Sequence, residues 1–157
     1  REGLWRGVRE GVVDVLGSDH APHTLDEKAA PYPDSPSGMP GVQTLVPVML
    51  DHVHAGKLSL LRLADLVCTG PARIFGIAAK GRMAVGYDGD LTIVDLKARR
   101  EITDTWIASR CGWTPFAGAT VTGWPVATVI RGRVVMRDDE VLGTPAGAPV
   151  RFHDGTR

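Results

Sequence analysis

The sequence predicts an α/β fold in which the first half is the tail of an α/β barrel or open sheet and the second half is all-β. Two observations support this prediction. A short apolar run, Val12–Gly17, lies between a helical pattern and a long loop followed by helices. A lone strand flanked by helices cannot form a sheet, so it needs partners. After Gly81, short runs rich in valine and isoleucine alternate with turn residues. An isolated 157-residue fold is the alternative.

The first half contains helices around one strand and one loop. Apolar residues recur at helical spacing in Arg1–Gly11, and Val12–Gly17 (VVDVLG) is a short apolar run of a kind seen in buried parallel strands. Ser18–Gly41, with five prolines, is a loop of more than 20 residues, a length typical of functional loops. A helical pattern returns at Val42–Ala55, and Ser59 is a candidate N-cap for a further helix through Cys68.

The second half is predicted to be part of a small β-sandwich. Strand-like runs are separated by turn chemistry such as Arg131-Gly132-Arg133. The predicted strands are Met83–Val85, Leu91–Leu96, Ala127–Arg131 and Arg133–Arg137. We therefore expect two domains, residues 1–80 and 81–157, with the boundary near Lys80.

Composition and charge exclude several classes of function. Eighteen basic and eighteen acidic residues give a net charge of zero, so nothing indicates binding to nucleic acid or to an anionic membrane. The apolar runs are too short to span a bilayer. Cys68 and Cys111 fit neither a metal spacing nor a disulfide framework, which predicts a cytoplasmic location. Because the chain opens with Arg1 inside a helical pattern, we expect it to come from something longer.

The densest polar cluster, residues 17–24, follows the predicted strand. Active sites of α/β folds gather at the carboxyl ends of strands. Asp19 could therefore bind a divalent metal, accept a proton from water, or both. His20 and His23 are three residues apart. The alternative is a helix cap with solvated histidines, since a metal site needs three or four ligands and the chain offers few others.

Four stretches resemble dihydroorotases, cyclic amidohydrolases of the amidohydrolase superfamily. SDHAPHTLDEKAAPYPDSPSGMPGVQTLVPVML, residues 18–50, is similar to the segment that ends the barrel in the bacterial enzymes. TGPARIFGI (69–77), KGRMAVGYDGDLTIVDL (80–96) and GWTPFAGATVTGWPVATVIRGRVV (112–135) are similar to the segments that follow. The resemblance implies the C-terminal end of a TIM-type (β/α)8 metal-dependent hydrolase barrel followed by part of a small β-sandwich.

The resemblance also implies roles for four residues of the loop. Asp19 matches the aspartate that ligates one metal of a zinc centre, with one or two ions per complete site, and acts as general base and then general acid. His23 matches the histidine that holds the substrate's carboxylate. Ser37 and Gly38 match loop positions that contact the dihydropyrimidine ring, mostly through backbone groups. The implied reaction interconverts L-dihydroorotate and N-carbamoyl-L-aspartate in pyrimidine biosynthesis.

Other functions stay open. Hydantoinases and allantoinases resemble the chain elsewhere but usually lack a histidine at the position of His23, which favours dihydroorotate. A silent homologue that serves as a scaffold for aspartate transcarbamoylase is less favoured, because it has no chemical reason to keep Asp19 and His23. The implied partners are the small-molecule substrate and, for a full-length protein, a second copy or aspartate transcarbamoylase.

The resemblance further implies that most metal ligands lie outside this chain. The family's His-x-His pair, its carboxylated lysine and its two later histidines belong to earlier parts of the barrel. His52 and His54 have the pair's spacing but lie on a predicted helix, where rings two residues apart diverge by about 200°. We therefore expect this chain alone to be inactive.

Overall fold

The computed structural model describes residues 2–153. The α-helices all lie in the first half of the described residues and the strands all lie in the second. The helices are α1 (Glu2–Arg9), α2 (Leu25–Lys28), α3 (Leu45–His54), α4 (Leu60–Ala64) and α5 (Gly70–Ile74), and the strands are β1 (Leu91–Glu101), β2 (Thr120–Ile130), β3 (Arg133–Arg137) and β4 (Glu140–Val141). A π-helical turn, Asp65–Thr69, joins α4 to α5, and a 3₁₀ turn, Asp104–Trp106, follows β1.

The four strands form one sheet in the order β1-β2-β3-β4. The β2 and β3 strands pair antiparallel, with Ile130 opposite Arg133. Two residues connect them, Arg131 with a φ of 49° and Gly132 with a φ of 76°. Positive φ at both central residues defines the hairpin turn whose twist matches that of the flanking strands.

The chain folds into two compact units. The first comprises the chain up to Leu16, Ala55–Asp95 and the chain from Pro125. The second, which we call the loop unit, comprises Gly17–His54 and Leu96–Trp124.

In the first unit, Arg62 of α4 forms hydrogen bonds with two main-chain carbonyls and an ion pair with one carboxylate. Its guanidinium donates to the carbonyl of Val8 at 2.7 Å and also to the carbonyl of Val13, and it pairs with Asp65. Because a guanidinium offers five donors in a fixed fork, one side chain can satisfy several acceptors. The segment after α1 is thereby tied to α4, and Leu66 in the π-helical turn that follows α4 is fully buried.

The core of the loop unit is built around Trp124. This side chain is 2% exposed and packs with Ile102 and Val121. The ring of Trp106 lies 4.6 Å from it, centroid to centroid. Helix α3 approaches β2 closely, since a Cβ at Gly123 would lie 2.6 Å from the Cβ of Leu50. Aromatic side chains contribute large buried areas to a core, so Trp124 accounts for much of the apolar area buried in this unit.

Several predicted elements are confirmed and others differ. β3 matches its prediction residue for residue, and Ser59 accepts a hydrogen bond from the Arg62 N–H at 3.1 Å, as an N-cap does. Residues 12–19, in contrast, form no strand; the N–H of Leu16 donates to the Leu66 carbonyl instead. A parallel strand requires neighbouring strands, and the described residues supply none beside it.

Within residues 2–153, no helix combines the length and the apolar character needed to cross a membrane. The division into residues 1–80 and 81–157 stays a prediction.

Candidate functional site

The four predicted site residues lie in a single loop within the loop unit; they are Asp19, His23, Ser37 and Gly38. The two ends of that loop are joined. His20 and Met39 form a parallel bridge, and the N–H of Ala21 donates to the Met39 carbonyl at 3.0 Å. The segment carrying Asp19 therefore runs beside the segment carrying Ser37 and Gly38.

Asp19 has a left-handed backbone conformation, which it shares with four other non-glycine residues of the described part of the chain. Its φ is 44°, in the left-handed region that side chains other than glycine seldom adopt. The residue is exposed, so its carboxylate is accessible. Non-glycine residues in this region persist only where their surroundings hold them, and they cluster at active sites. The conformation is therefore consistent with a role in chemistry.

His20 connects the two ends of the loop through its ring. Its Nδ1 accepts hydrogen bonds from the N–H of Gly41 at 3.0 Å and from the N–H of Val42 at 3.4 Å. On the other side of the contact, a Cβ at Gly41 would lie 2.6 Å from the carbonyl oxygen of Ser18. The main chain at Gly41 therefore packs directly against the residues that flank Asp19.

His23 is held by both its main chain and its side chain. The indole N–H of Trp113 donates to the His23 carbonyl at 2.7 Å. The imidazole Nδ1 lies 3.6 Å from a carboxylate oxygen of Glu27, and the His23 side chain is 32% exposed. A hydrogen bond thus fixes the main chain of His23, and its imidazole ring is partly exposed. Both features suit the binding of a small anion.

Glu27 belongs to a capping box that opens α2. The N–H of Glu27 donates to the Thr24 hydroxyl at 3.2 Å, and the N–H of Thr24 donates to the Glu27 carboxylate at 2.7 Å. The main-chain hydrogen bond from Thr24 lowers the pKa of the Glu27 carboxyl below its usual value, with smaller contributions from the Thr24 hydroxyl and His23. Glu27 is therefore a stable anion beside His23.

Lys28 fixes the segment that contains Ser37 and Gly38. Its ammonium group donates to the carbonyls of Pro36 at 2.7 Å and Gly38 at 3.1 Å. The Ser35 hydroxyl donates to the Lys28 carbonyl at 3.0 Å. These three hydrogen bonds close the loop on itself between residues 28 and 38.

Gly38 is required by the fold at its position. Its φ is 108°, and a Cβ there would lie 2.7 Å from the Cβ of Ala21 and 2.8 Å from its carbonyl oxygen. Ser37 beside it is exposed. The close approach of Gly38 is therefore to Ala21 of the same loop, and its contact with a substrate stays a prediction.

The described residues do not form a metal site by themselves. Within residues 2–153, no group of three or more histidine, cysteine, aspartate or glutamate side chains is arranged to hold an ion. Catalytic zinc takes three protein ligands, and the role of Asp19 as one of them stays a prediction. His52 and His54 both lie on α3, as predicted, and the divergence of their rings stays an expectation from helix geometry.

Some of the contacts that shape the loop were not foreseen. The bonds of His20, Lys28 and Trp113 join residues between 8 and 90 positions apart, and no local pattern announces such contacts. The capping box is different, because Thr24-x-x-Glu27 is a recognisable local motif. That motif was the one available signal that Glu27 lies beside His23.

Comparisons with known proteins place the chain in a family. The amidohydrolase family profile matches residues 1–135. The dihydroorotase of Halobacterium salinarum is 45% identical over 141 residues, which are 90% of this chain and 33% of that protein. The L-hydantoinase of Paenarthrobacter aurescens is 40% identical over 144 residues, 88% of this chain and 31% of that protein.

The structural comparison agrees. The L-hydantoinase from Arthrobacter aurescens superposes with a TM-score of 0.85 at 39% identity, over 89% of this chain and 32% of that one. The chain thus spans about a third of the length of its relatives. The predicted α/β fold at the end of a hydrolase barrel and the resemblance to dihydroorotases are both confirmed. The profile match and these identities show that the chain belongs to the amidohydrolase family.

Proposed function

We propose that this chain supplies the substrate loop and one catalytic carboxylate of a dihydroorotase, an enzyme that reversibly hydrolyses the cyclic amide of L-dihydroorotate to N-carbamoyl-L-aspartate. The observation that supports it best is the loop itself, which brings together Asp19, His23 and the Ser37–Gly38 segment. The similarity to the dihydroorotase of Halobacterium salinarum supports the same assignment.

In this proposal Asp19 moves one proton and His23 selects the substrate. Asp19 accepts a proton from the attacking water and returns it to the ring nitrogen as the C–N bond breaks, so the carboxylate is regenerated. His23 donates a hydrogen bond to the carboxylate of dihydroorotate. Backbone groups of Ser37 and Gly38 contact the ring.

We infer a zinc centre of one or two ions for the complete site, with Asp19 as one ligand. The described residues offer no complete ligand set, so the other ligands must come from residues outside them. This chain by itself is accordingly expected to be inactive. The proposed small-molecule chemistry fits a cytoplasmic enzyme of pyrimidine biosynthesis, either as a homo-oligomer or in a complex with aspartate transcarbamoylase.

The second candidate is hydantoinase activity, which the similarity to the L-hydantoinase of Paenarthrobacter aurescens favours. The two substrates differ in the charge that the loop must recognise. Dihydroorotate carries a carboxylate on its ring, whereas hydantoins with apolar substituents do not. His23, with 32% of its side chain exposed, is a suitable donor for that carboxylate. A carboxylate oxygen of Glu27 lies 3.6 Å from the Nδ1 of the ring, which leaves the Nε2 edge for a ligand.

The experiment is a graft. We would replace the 141 residues of the Halobacterium salinarum dihydroorotase that match this chain with the corresponding residues of this chain, and measure zinc content and turnover of L-dihydroorotate. We call this protein the grafted enzyme. The proposal predicts turnover, and Asp19→Asn should lower kcat by about 10²- to 10⁴-fold, the contribution of a general base.

Two controls make the outcome decisive. Asp26→Asn removes an exposed carboxylate from the same loop and should leave kcat unchanged. A folded grafted enzyme that contains zinc but turns over a hydantoin and not dihydroorotate would establish the second candidate. A grafted enzyme that is folded, contains zinc and hydrolyses neither would support a scaffold role.

A further inference from the structure

We propose that His20 is a positioning residue: its imidazole fixes the backbone of Asp19 by accepting main-chain hydrogen bonds from the far end of the loop. The inference deepens the proposed function and rests on it, because Asp19 is the general base there. His20 itself touches neither the substrate nor the reacting atoms in this proposal.

The backbone of Asp19 has a conformation that its surroundings must favour. Asp19 has a φ of 44°. Left-handed backbone costs most non-glycine residues about 1–2 kcal/mol, and aspartate is among those that enter it most readily. Contacts to the residues on either side of Asp19 favour this conformation over extended or right-handed backbone.

Both neighbours of Asp19 are held by the same glycine. On one side, the carbonyl oxygen of Ser18 lies so close to the Cα of Gly41 that a Cβ there would be 2.6 Å away. On the other side, the N–H of Gly41 donates to the Nδ1 of His20 at 3.0 Å. Asp19 sits between these two contacts, so its dihedral angles are confined from both ends.

The geometry also defines the chemical form of the ring. Two N–H groups, those of Gly41 and Val42, point at Nδ1. Only a nitrogen with a free lone pair can accept them, so a neutral His20 carries its proton on Nε2. The orientation of the ring follows as well, because the other orientation would place a C–H group against these donors.

These hydrogen bonds predict different effects for the two amide substitutions of His20. In asparagine, Oδ1 is bonded to Cγ, as Nδ1 is in histidine, so it can accept from the same N–H groups. In glutamine, Oε1 takes the place of Nε2 and leaves those groups without a partner. Asparagine should therefore replace His20 and glutamine should not, although both are neutral amides.

The test uses NMR of the purified chain. In the wild type, the ¹⁵N shifts of the His20 ring should show a single tautomer with the proton on Nε2. The amides of Gly41 and Val42 should exchange about tenfold faster in His20→Gln and His20→Ala, since roughly 1.4 kcal/mol of hydrogen bonding corresponds to tenfold. In His20→Asn they should stay within about threefold of the wild type.

A second readout follows Asp19 directly. Its backbone ¹³C shifts, which report φ and ψ, should keep their left-handed values in the wild type and His20→Asn and lose them in His20→Gln. His54→Gln, at an exposed position in the last turn of α3, is the control for loss of an imidazole and should leave all these signals unchanged.

Equal behaviour of the asparagine and glutamine variants would overturn the inference, and so would rapidly exchanging tautomers in the wild type. None of these measurements involves substrate or zinc. A grafted enzyme without dihydroorotase activity would therefore refute the proposed function and leave the role of His20 to be decided by these spectra.

Discussion

Replacing Gly38 with alanine tests whether the loop is held as tightly as its contacts indicate. The new Cβ would meet the Cβ of Ala21 at 2.7 Å, about 1 Å inside the favourable carbon–carbon separation. Overpacking of this kind costs about 1–3 kcal/mol. The φ of 108° adds about 1–2 kcal/mol for a residue with a side chain.

The lower conformational entropy of the unfolded variant offsets part of this free-energy cost. Alanine has less conformational entropy to lose than glycine, which returns about 0.4–1 kcal/mol. Gly38→Ala should therefore lower the free energy of unfolding by roughly 3 kcal/mol, within a range of about 1–5. Urea unfolding measures the global value, and hydrogen exchange at the Ala21 N–H, which donates to Met39, shows whether the loop opens first.

Two glycines of the same unit separate the two contributions. Gly112 has a φ of 68° and nothing within 4 Å of its Cβ position, so Gly112→Ala isolates the backbone strain and should cost about 1 kcal/mol. Gly41 lacks a positive φ but faces the Ser18 carbonyl, so Gly41→Ala isolates the clash, at about 1–2 kcal/mol. A Gly38→Ala variant no less stable than Gly112→Ala would refute the account of the loop.

Three further predictions concern residues outside the loop that carries Asp19, His23, Ser37 and Gly38. Trp113→Phe removes the N–H that donates to the His23 carbonyl at 2.7 Å and should lower the free energy of unfolding by about 1 kcal/mol in urea. Trp124→Ala, at a side chain 2% exposed, should cost about 3–5 kcal/mol in the same assay, and a loss below 1 kcal/mol would contradict its place in the core. The hydrogen bond from Lys80 lowers the pKa of Asp90, so this carboxylate stabilises the fold above its unfolded pKa and the contribution disappears as the pH falls through the lower, folded pKa. Asp90→Asn should therefore cost up to about 1 kcal/mol near pH 6 and almost nothing near pH 2; a cost independent of pH would exclude the ion pair as its cause.

Local patterns predicted the elements whose structure depends on local interactions. The Arg131-Gly132 turn contains a glycine suited to positive φ, and β3 begins directly after it, as predicted. Ser59 could be predicted as an N-cap because its hydroxyl serves an N–H three residues later. Residues 12–19 show the limit of the approach, since an apolar run becomes a strand only when partner strands lie beside it.

The residue types of the candidate site stay a prediction, and the contacts that connect them could not be predicted from the sequence. Asp19, His23, Ser37 and Gly38 were identified from a resemblance, and the structure shows that one loop brings their segments together. The hydrogen bonds that shape this loop join distant positions, such as Trp113 and His23, which are 90 residues apart. Contacts of that kind arise from the tertiary fold, and a single sequence contains no periodicity that reports them.

The central claim is that His23 selects a carboxylated substrate, and dihydrouracil tests it most directly because it is dihydroorotate without the carboxylate. In the grafted enzyme, His23→Ala should lower kcat/KM for dihydroorotate by roughly 10- to 150-fold, the equivalent of about 1.5–3 kcal/mol for a hydrogen bond to a charged group. The value for dihydrouracil should change by less than about twofold, because that substrate has no carboxylate to lose contact with. An equal fall for both substrates would contradict the claim, because His23 would then act on the ring or the loop and not on the carboxylate.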